Sequence, residues 1–228
     1  MRKFSKATVG FATAGLLVAG VTGLGVSTAY AAPSSSNVHL AASSSTVPAP
    51  AAAVPEIFGG DTSVALDSDF LAALKSLGLT PSTEGKATLT GSDIAFPITG
   101  GSLVYWSPDG SYRPYVQGIV EHDGSGLNLT AGSTKVTLEN FTVNPGNSKL
   151  YGDVLVNGKM AVQQAYIFSL HGGSLKPLSM DGKNGVLTGT TVHVSGVAAK
   201  LLNSTFKTDA VKADLLVGVA TISAQITE

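Results

Sequence analysis

The sequence predicts a mainly β protein: an antiparallel β-sandwich or barrel-like domain with two short helices. Three observations lead there. From about Thr62 to Glu228 the chain is a succession of short apolar runs cut by glycine-containing turns. Only two segments carry apolar residues at helical spacing, and each follows a side chain able to cap a helix. There is no cysteine, so the domain must be held by its core, which a chain of roughly 170 residues can supply.

Taken in order, Ser63 to Leu66 reads as a short strand. Asp67 or Ser68 caps a helix carrying Phe70, Leu71, Leu74 and Leu77, stopped at Gly78 with Pro81 beyond. Lys86–Leu89 and Ile94–Ile98 are strands around a Gly91-Ser92-Asp93 turn, and Pro97 suits an edge. Gly100-Gly101 breaks the chain before a strand at Leu103–Trp106. Tyr115–Glu121 is β-like, and Asp123-Gly124-Ser125-Gly126 is a turn. Leu127 and Leu129 alternate with Asn128 and Thr130 as a half-buried strand. The apolar parity changes between Leu138 and Phe141, which predicts a bulge near Glu139-Asn140. Asn157-Gly158 is the strongest hairpin signal, between strands at Leu150–Val156 and Lys159–Leu170. After a loop from His171 to Pro177, Asp181-Gly182 and Asn184-Gly185 are turn pairs. Strands at Val186-Leu187 and Val192–Val194 flank Gly189. Ser195 caps the second helix, with Val197, Ala198, Leu201, Leu202 and Phe206, and a last strand spans Leu215–Ile226. The segments SVALDSDFLAALKSLG and TVHVSGVAAKLLNSTF align without a gap, a weak strand–helix repeat that would close one sheet body from both ends.

Residues 1–31 have the three parts of a secretory signal: Arg2, Lys3 and Lys6, an apolar stretch from Val9 to Val26, and a small-residue site at Ala29-Tyr30-Ala31. Residues 32–61 are rich in Ala, Ser and Pro and read as a disordered tether. Residues 62–228 form the single β-rich domain. The leader holds three of the 14 basic residues and none of the 15 acidic ones, leaving a net charge of −4 once it is removed. That excludes nucleic acid as the main partner. No run after the leader is long and apolar enough to span a bilayer. The expected location is secreted: extracellular or associated with the cell envelope.

Enzyme signatures are absent. There is no G-x-S-x-G elbow, H-E-x-x-H, phosphate loop or dinucleotide fingerprint. Zero cysteine excludes thiol catalysis and thiolate metal sites. Ser125, between two glycines, is turn composition. Asp109-Gly110 and Asp123-Gly124 lack the alternating carboxylates of a calcium loop. Glu121 and Asp123 have no surrounding pocket that marks a glycosidase pair. Asn128, Asn140 and Asn203 fit the N-x-[ST] pattern, which matters only in a eukaryotic secretory pathway. His193, between two valines, defaults to a solvated face, and His171 to a loop.

Trp106-Ser107-Pro108-Asp109-Gly110-Ser111-Tyr112-Arg113-Pro114-Tyr115-Val116 resembles the W-x₄-S-[FY]-R-x-Y-V motif of HtaA domains, the secreted or surface-attached haem-binding domains of actinobacteria. His122-Asp123-Gly124, the strand from Val136 to Pro145 and Leu150-Tyr151-Gly152-Asp153-Val154 resemble that family's later segments. The resemblance implies a tyrosine ligand to haem iron and a supporting histidine, at Tyr115 and His122. On a continuous strand, their odd separation puts them on opposite faces, so they meet only through a bulge or turn near Gly118. Tyr112 has the same parity as His122, but ten residues of strand span about 33 Å.

The residues by themselves therefore give a non-enzymatic binding or scaffolding domain with no cofactor. Its partner is a protein, an envelope component or a small molecule. The alternative is HtaA-like haem binding through Tyr115, with His122 and Tyr112 as accompanying candidates.

Overall fold

The computed structural model describes residues 47–228. The signal segment and the first part of the expected tether lie outside the described residues. The rest is a single curled, half-barrel antiparallel sheet of thirteen strands with two helices. Its strands are β1 (Ala52–Val54), β2 (Gly59–Leu66), β3 (Thr80–Gly85), β4 (Thr88–Thr90), β5 (Asp93–Pro97), β6 (Gly100–Tyr105) and β7 (Val116–Ala131). Then follow β8 (Thr134–Asn144), β9 (Lys149–Val156), β10 (Lys159–His171), β11 (Ser179–Asp181), β12 (Asn184–Val194) and β13 (Leu216–Gln225). Helix α1 is Ser68–Ser76 and α2 is Gly196–Phe206. The order across the sheet is β1-β6-β7-β8-β9-β10-β12-β13-β2-β5-β4, with β11 on β12 and β3 on β7.

Both helices start where the sequence places them. The Asp67 carboxylate accepts from the backbone N–H groups of Asp69 (2.9 Å) and Phe70 (3.1 Å), and Ser195 Oγ accepts from Ala198 N (3.0 Å). The two strand–helix units flank β13, with β2 on one side and β12 on the other. Their helices line a second, apolar cavity of about 140 Å³ together with Leu129, Leu138 and Val154. Asn157 and Gly158 turn the β9–β10 hairpin with φ of 50° and 76°, the paired positive values of a type I′ turn.

Several expected turns are strand. Asp123-Gly124-Ser125-Gly126 is a bulge inside the continuous β7, whose register on β8 shifts between His122 and Gly126. The strand stays intact because it changes neighbours there: its first half pairs with β6 and its second half with β3. Gly100-Gly101 opens β6 rather than breaking the chain, and Asn184-Gly185 lies within β12, where Gly189 marks a register shift instead of a break. Asn128 is buried rather than half-exposed; its amide donates to Thr83 O and Glu84 Oε2 and accepts from Thr137 Oγ1. The expected tether also ends earlier than residue 61. Residues 52–54 pair with β6, and the Trp106 indole donates to Pro48 O at 2.8 Å. Local composition gives no strand signal there; an open edge of β6 supplies the partner backbone.

The bulge expected near Glu139-Asn140 is present, with Asn140 at φ 54°. It belongs to a row. Gly124 N–H donates to Asn140 Oδ1 (2.9 Å), and Asn140 Nδ2 donates to Asp153 Oδ2 (3.0 Å). Asp153 Oδ1 accepts from the backbone N–H of Gln164 (2.9 Å), itself at φ 43° in a register shift of β10. Aligned bulges across β7, β8 and β10 bend a sheet locally and increase its twist. They lie beside His122 and Phe141 and so set the curl that encloses the interior.

Candidate functional site: an apolar cavity with a rim tyrosine and a buried histidine

The concave side of the sheet encloses a cavity of about 360 Å³. That falls within the roughly 300–1,000 Å³ usual for small-molecule sites. Most of its lining is aliphatic or aromatic, including Phe96, Leu103, Phe141, Phe168 and Leu170. These come from alternate positions of β5, β6, β8 and β10, whose side chains point inward by the two-residue period.

His122 is the principal titratable group of the deep lining and is 1% exposed. Its Nδ1 lies 3.2 Å from Phe141 O and its Nε2 lies 2.7 Å from Thr62 Oγ1. A carbonyl can only accept, so Nδ1 carries the proton and Nε2 accepts from the Thr62 hydroxyl. Burial pushes the imidazole pKa down to about 4, against the opposing pull of the Phe141 carbonyl and the Asp123 charge. The ring is therefore neutral at physiological pH. Ser125 Oγ donates to His122 O at 3.0 Å, which fixes the backbone as it enters the bulge. Ser125 is thus a structural partner of His122.

Tyr115 lines the same cavity. The parity that separates it from His122 governs β7 only from Val116 onward, and Tyr115 lies just outside the strand. Gly118 is not a bulge: it pairs with Leu103 in unbroken register. It does have φ 123°, and a Cβ there would collide with the Ser102 carbonyl oxygen, so glycine permits the close approach of β6. The Tyr115 hydroxyl donates to Gly172 O at 3.1 Å, and its ring makes an edge contact with Tyr105 at 6.5 Å. The Arg113 guanidinium lies 5.1 Å from the Tyr115 ring centroid, held by the carbonyls of Pro108, Gly110 and Tyr112. Among the described residues, no buried side-chain nitrogen or oxygen lacks a partner. The cavity therefore offers apolar walls inside and polar groups mainly at its rim.

No family model matches this sequence, and no curated protein matches it. Solved structures do share its architecture. The C-terminal domain of HtaA from Corynebacterium glutamicum superposes with a TM-score of 0.50 at 13% identity, over 77% of this chain and 99% of that one. The N-terminal domain of the same protein gives 0.50 at 11% identity, over 75% and 99%. This chain has the HtaA-domain fold. The haem-binding protein HtaB of the same organism aligns with a lower TM-score of 0.43, at 11% identity over 75% of this chain and 94% of that one.

Within this HtaA-type fold, Tyr115 and His122 share one cavity and Tyr112 stands apart. The Tyr112 ring packs on Trp106 with centroids 4.7 Å apart, and its hydroxyl accepts from Gln117 Nε2 at 3.5 Å. Glu121 and Asp123 are exposed and absent from the lining. Thr62, Arg113 and Gly172 were not legible as site residues. Thr62 is 60 positions from its partner His122, and Gly172 is 57 from Tyr115. Arg113 lies within the Trp106–Val116 segment, and that position is its one mark in the sequence.

Proposed function

We propose that this chain binds haem in the concave cavity, with Tyr115 as the iron ligand and His122 as the supporting group. The observation that carries this reading is the convergence of Tyr115 and His122 on one apolar cavity inside an HtaA-type fold. The donor set suits the group. A phenolate oxygen is a hard anionic ligand for ferric iron, and apolar walls suit a porphyrin face. The proton that Tyr115 now shares with Gly172 O leaves when the phenolate binds a cation. Arg113 at the rim offers a fixed positive charge to a carboxylate. Neutral His122 adds a polar group without placing a charge in the interior, and the Phe141 carbonyl and the Thr62 hydroxyl fix its tautomer. Bound haem would supply the redox-active iron; the residues described here bind and orient it.

The chain acts as a binding domain rather than by turnover, outside the cytoplasm after removal of residues 1–31. Its partner of this class is a small molecule. No helix among the described residues is long and apolar enough to cross a membrane. Haemin titrated into the purified chain should give a stoichiometric complex with a tyrosinate-type charge-transfer band. Tyr115→Phe should remove that band and weaken binding at least tenfold. A full-strength band in Tyr115→Phe overturns the assignment.

A further inference from the structure

A second group of potential ligands lies on the opposite, outer face of the sheet. We infer that His171, His193 and Asp214 form a binding site for a divalent transition-metal ion such as Zn²⁺ or Co²⁺. One ligand atom from each lies within 4.8 Å of the others. His171 ends β10 and His193 lies in β12; His171 pairs with Thr191 and Ser169 with His193. The two histidines are thus diagonal neighbours on one face. Their rings stack with centroids 4.1 Å apart and planes 19° apart.

Asp214 reaches this pair from the segment before β13. It adopts a left-handed φ of 65°, while its N–H is tied to Val194 O at 2.8 Å. Val194 N–H in turn donates to Leu215 O at 2.9 Å. This arrangement turns both oxygens of Asp214 toward His193: Nδ1 lies 3.0 Å from the backbone O and 3.3 Å from Oδ1. His171 Nε2 lies 3.7 Å from the same Oδ1. A left-handed non-glycine residue is costly unless its surroundings fix it.

The supporting shell is also in place. His193 Nε2 lies 3.0 Å from Thr191 Oγ1. In the ion-free chain Nδ1–H donates to the Asp214 carbonyl, so binding an ion moves that proton to Nε2, where Thr191 Oγ1 accepts it and the Nδ1 lone pair becomes free for the ion. Ligand atoms around tetrahedral zinc stand about 3.3 Å apart, given Zn–N distances of roughly 2.0–2.1 Å. The His193–Asp214 separation already meets this. His171 Nε2 is 3.7 Å from the same carboxylate, and its ring, 51% exposed, must turn out of the stack to aim a nitrogen at the shared ion. Two imidazoles and one carboxylate suit Zn²⁺, Co²⁺, Ni²⁺ or Fe²⁺ over Mg²⁺ or Ca²⁺. Three protein ligands leave a position open to water or to a partner's side chain.

Its test uses no haemin. Co²⁺ is titrated into the full purified chain without an affinity tag, followed by visible absorption and by Zn²⁺ competition. The expected result is one high-affinity ion per chain with d–d bands that Zn²⁺ bleaches. Asp214→Ala, at a side chain 70% exposed, should weaken binding at least about 100-fold without unfolding the chain, and Thr191→Val about 10–100-fold. His193→Ala should abolish the bands. Absence of saturable binding, or binding equally tight in Asp214→Ala and His193→Ala, overturns the proposal.

Discussion

The two sides of the sheet treat histidine in opposite ways. Inside, His122 is fully enclosed, with one nitrogen committed to Phe141 O and the other to Thr62 Oγ1. Outside, His171 and His193 stack on each other beside an exposed carboxylate, with ring nitrogens facing Asp214. The difference is one of solvent. An interior imidazole that cannot reach water must be neutral and fully paired. An outer imidazole keeps water as an alternative partner and can exchange it for an ion. Burial thus holds one histidine neutral and fixed in the cavity wall, whereas the outer pair keeps a side open to solvent, with His171 51% and His193 16% exposed at their side chains.

The strongest way to break this contrast is acid. The unfolded chain protonates His122 near its ordinary 6.5, while the folded chain resists until about 4. Its contribution is complete above 6.5 and is lost as pH falls through that window. The difference corresponds to about 3 kcal/mol at pH 4. Urea unfolding at a series of pH values should show this slope, and His122→Leu should flatten it. An unchanged slope in His122→Leu would assign the acid sensitivity to other groups.

A smaller effect sharpens the interior half alone. Thr62→Val keeps the shape of the side chain but removes the donor to Nε2 and leaves a buried acceptor unpaired. It should cost about 1–3 kcal/mol, read from the shift in denaturation midpoint. The smallest effect belongs to the outer face. Asp214→Asn in metal-free buffer should cost under about 1 kcal/mol, because the carboxylate is 70% exposed and water can replace its contacts. A loss as large as that of Thr62→Val would remove the distinction between the two faces.

Much of this was legible along the chain. The caps at Asp67 and Ser195, the Asn157-Gly158 hairpin and the bulge at Asn140 are local devices, each written in two to four adjacent residues. Glycine was the unreliable sign. Gly124 and Gly189 read as chain breaks but sit at bulges within long strands, since positive φ serves either purpose. The site was partly legible. The motif pointed to Tyr115 and His122, yet alternation set them on opposite faces, because the first residue of β7 cannot be fixed from pattern alone.

The sequence by itself determined the class: a β domain with two capped helices, no disulfides and a particular tyrosine and histidine worth following. Those features depend on neighbours in the chain and on composition. Tertiary structure decided where the backbone finds partners. It made strand β1 from an Ala/Val segment by offering the edge of β6, and it divided β7 between two neighbours. It also brought Thr62 to His122, Gly172 to Tyr115 and Asp214 to His193. Such contacts join residues 21 to 60 positions apart through strand pairing and sheet curl, so no local pattern encodes them.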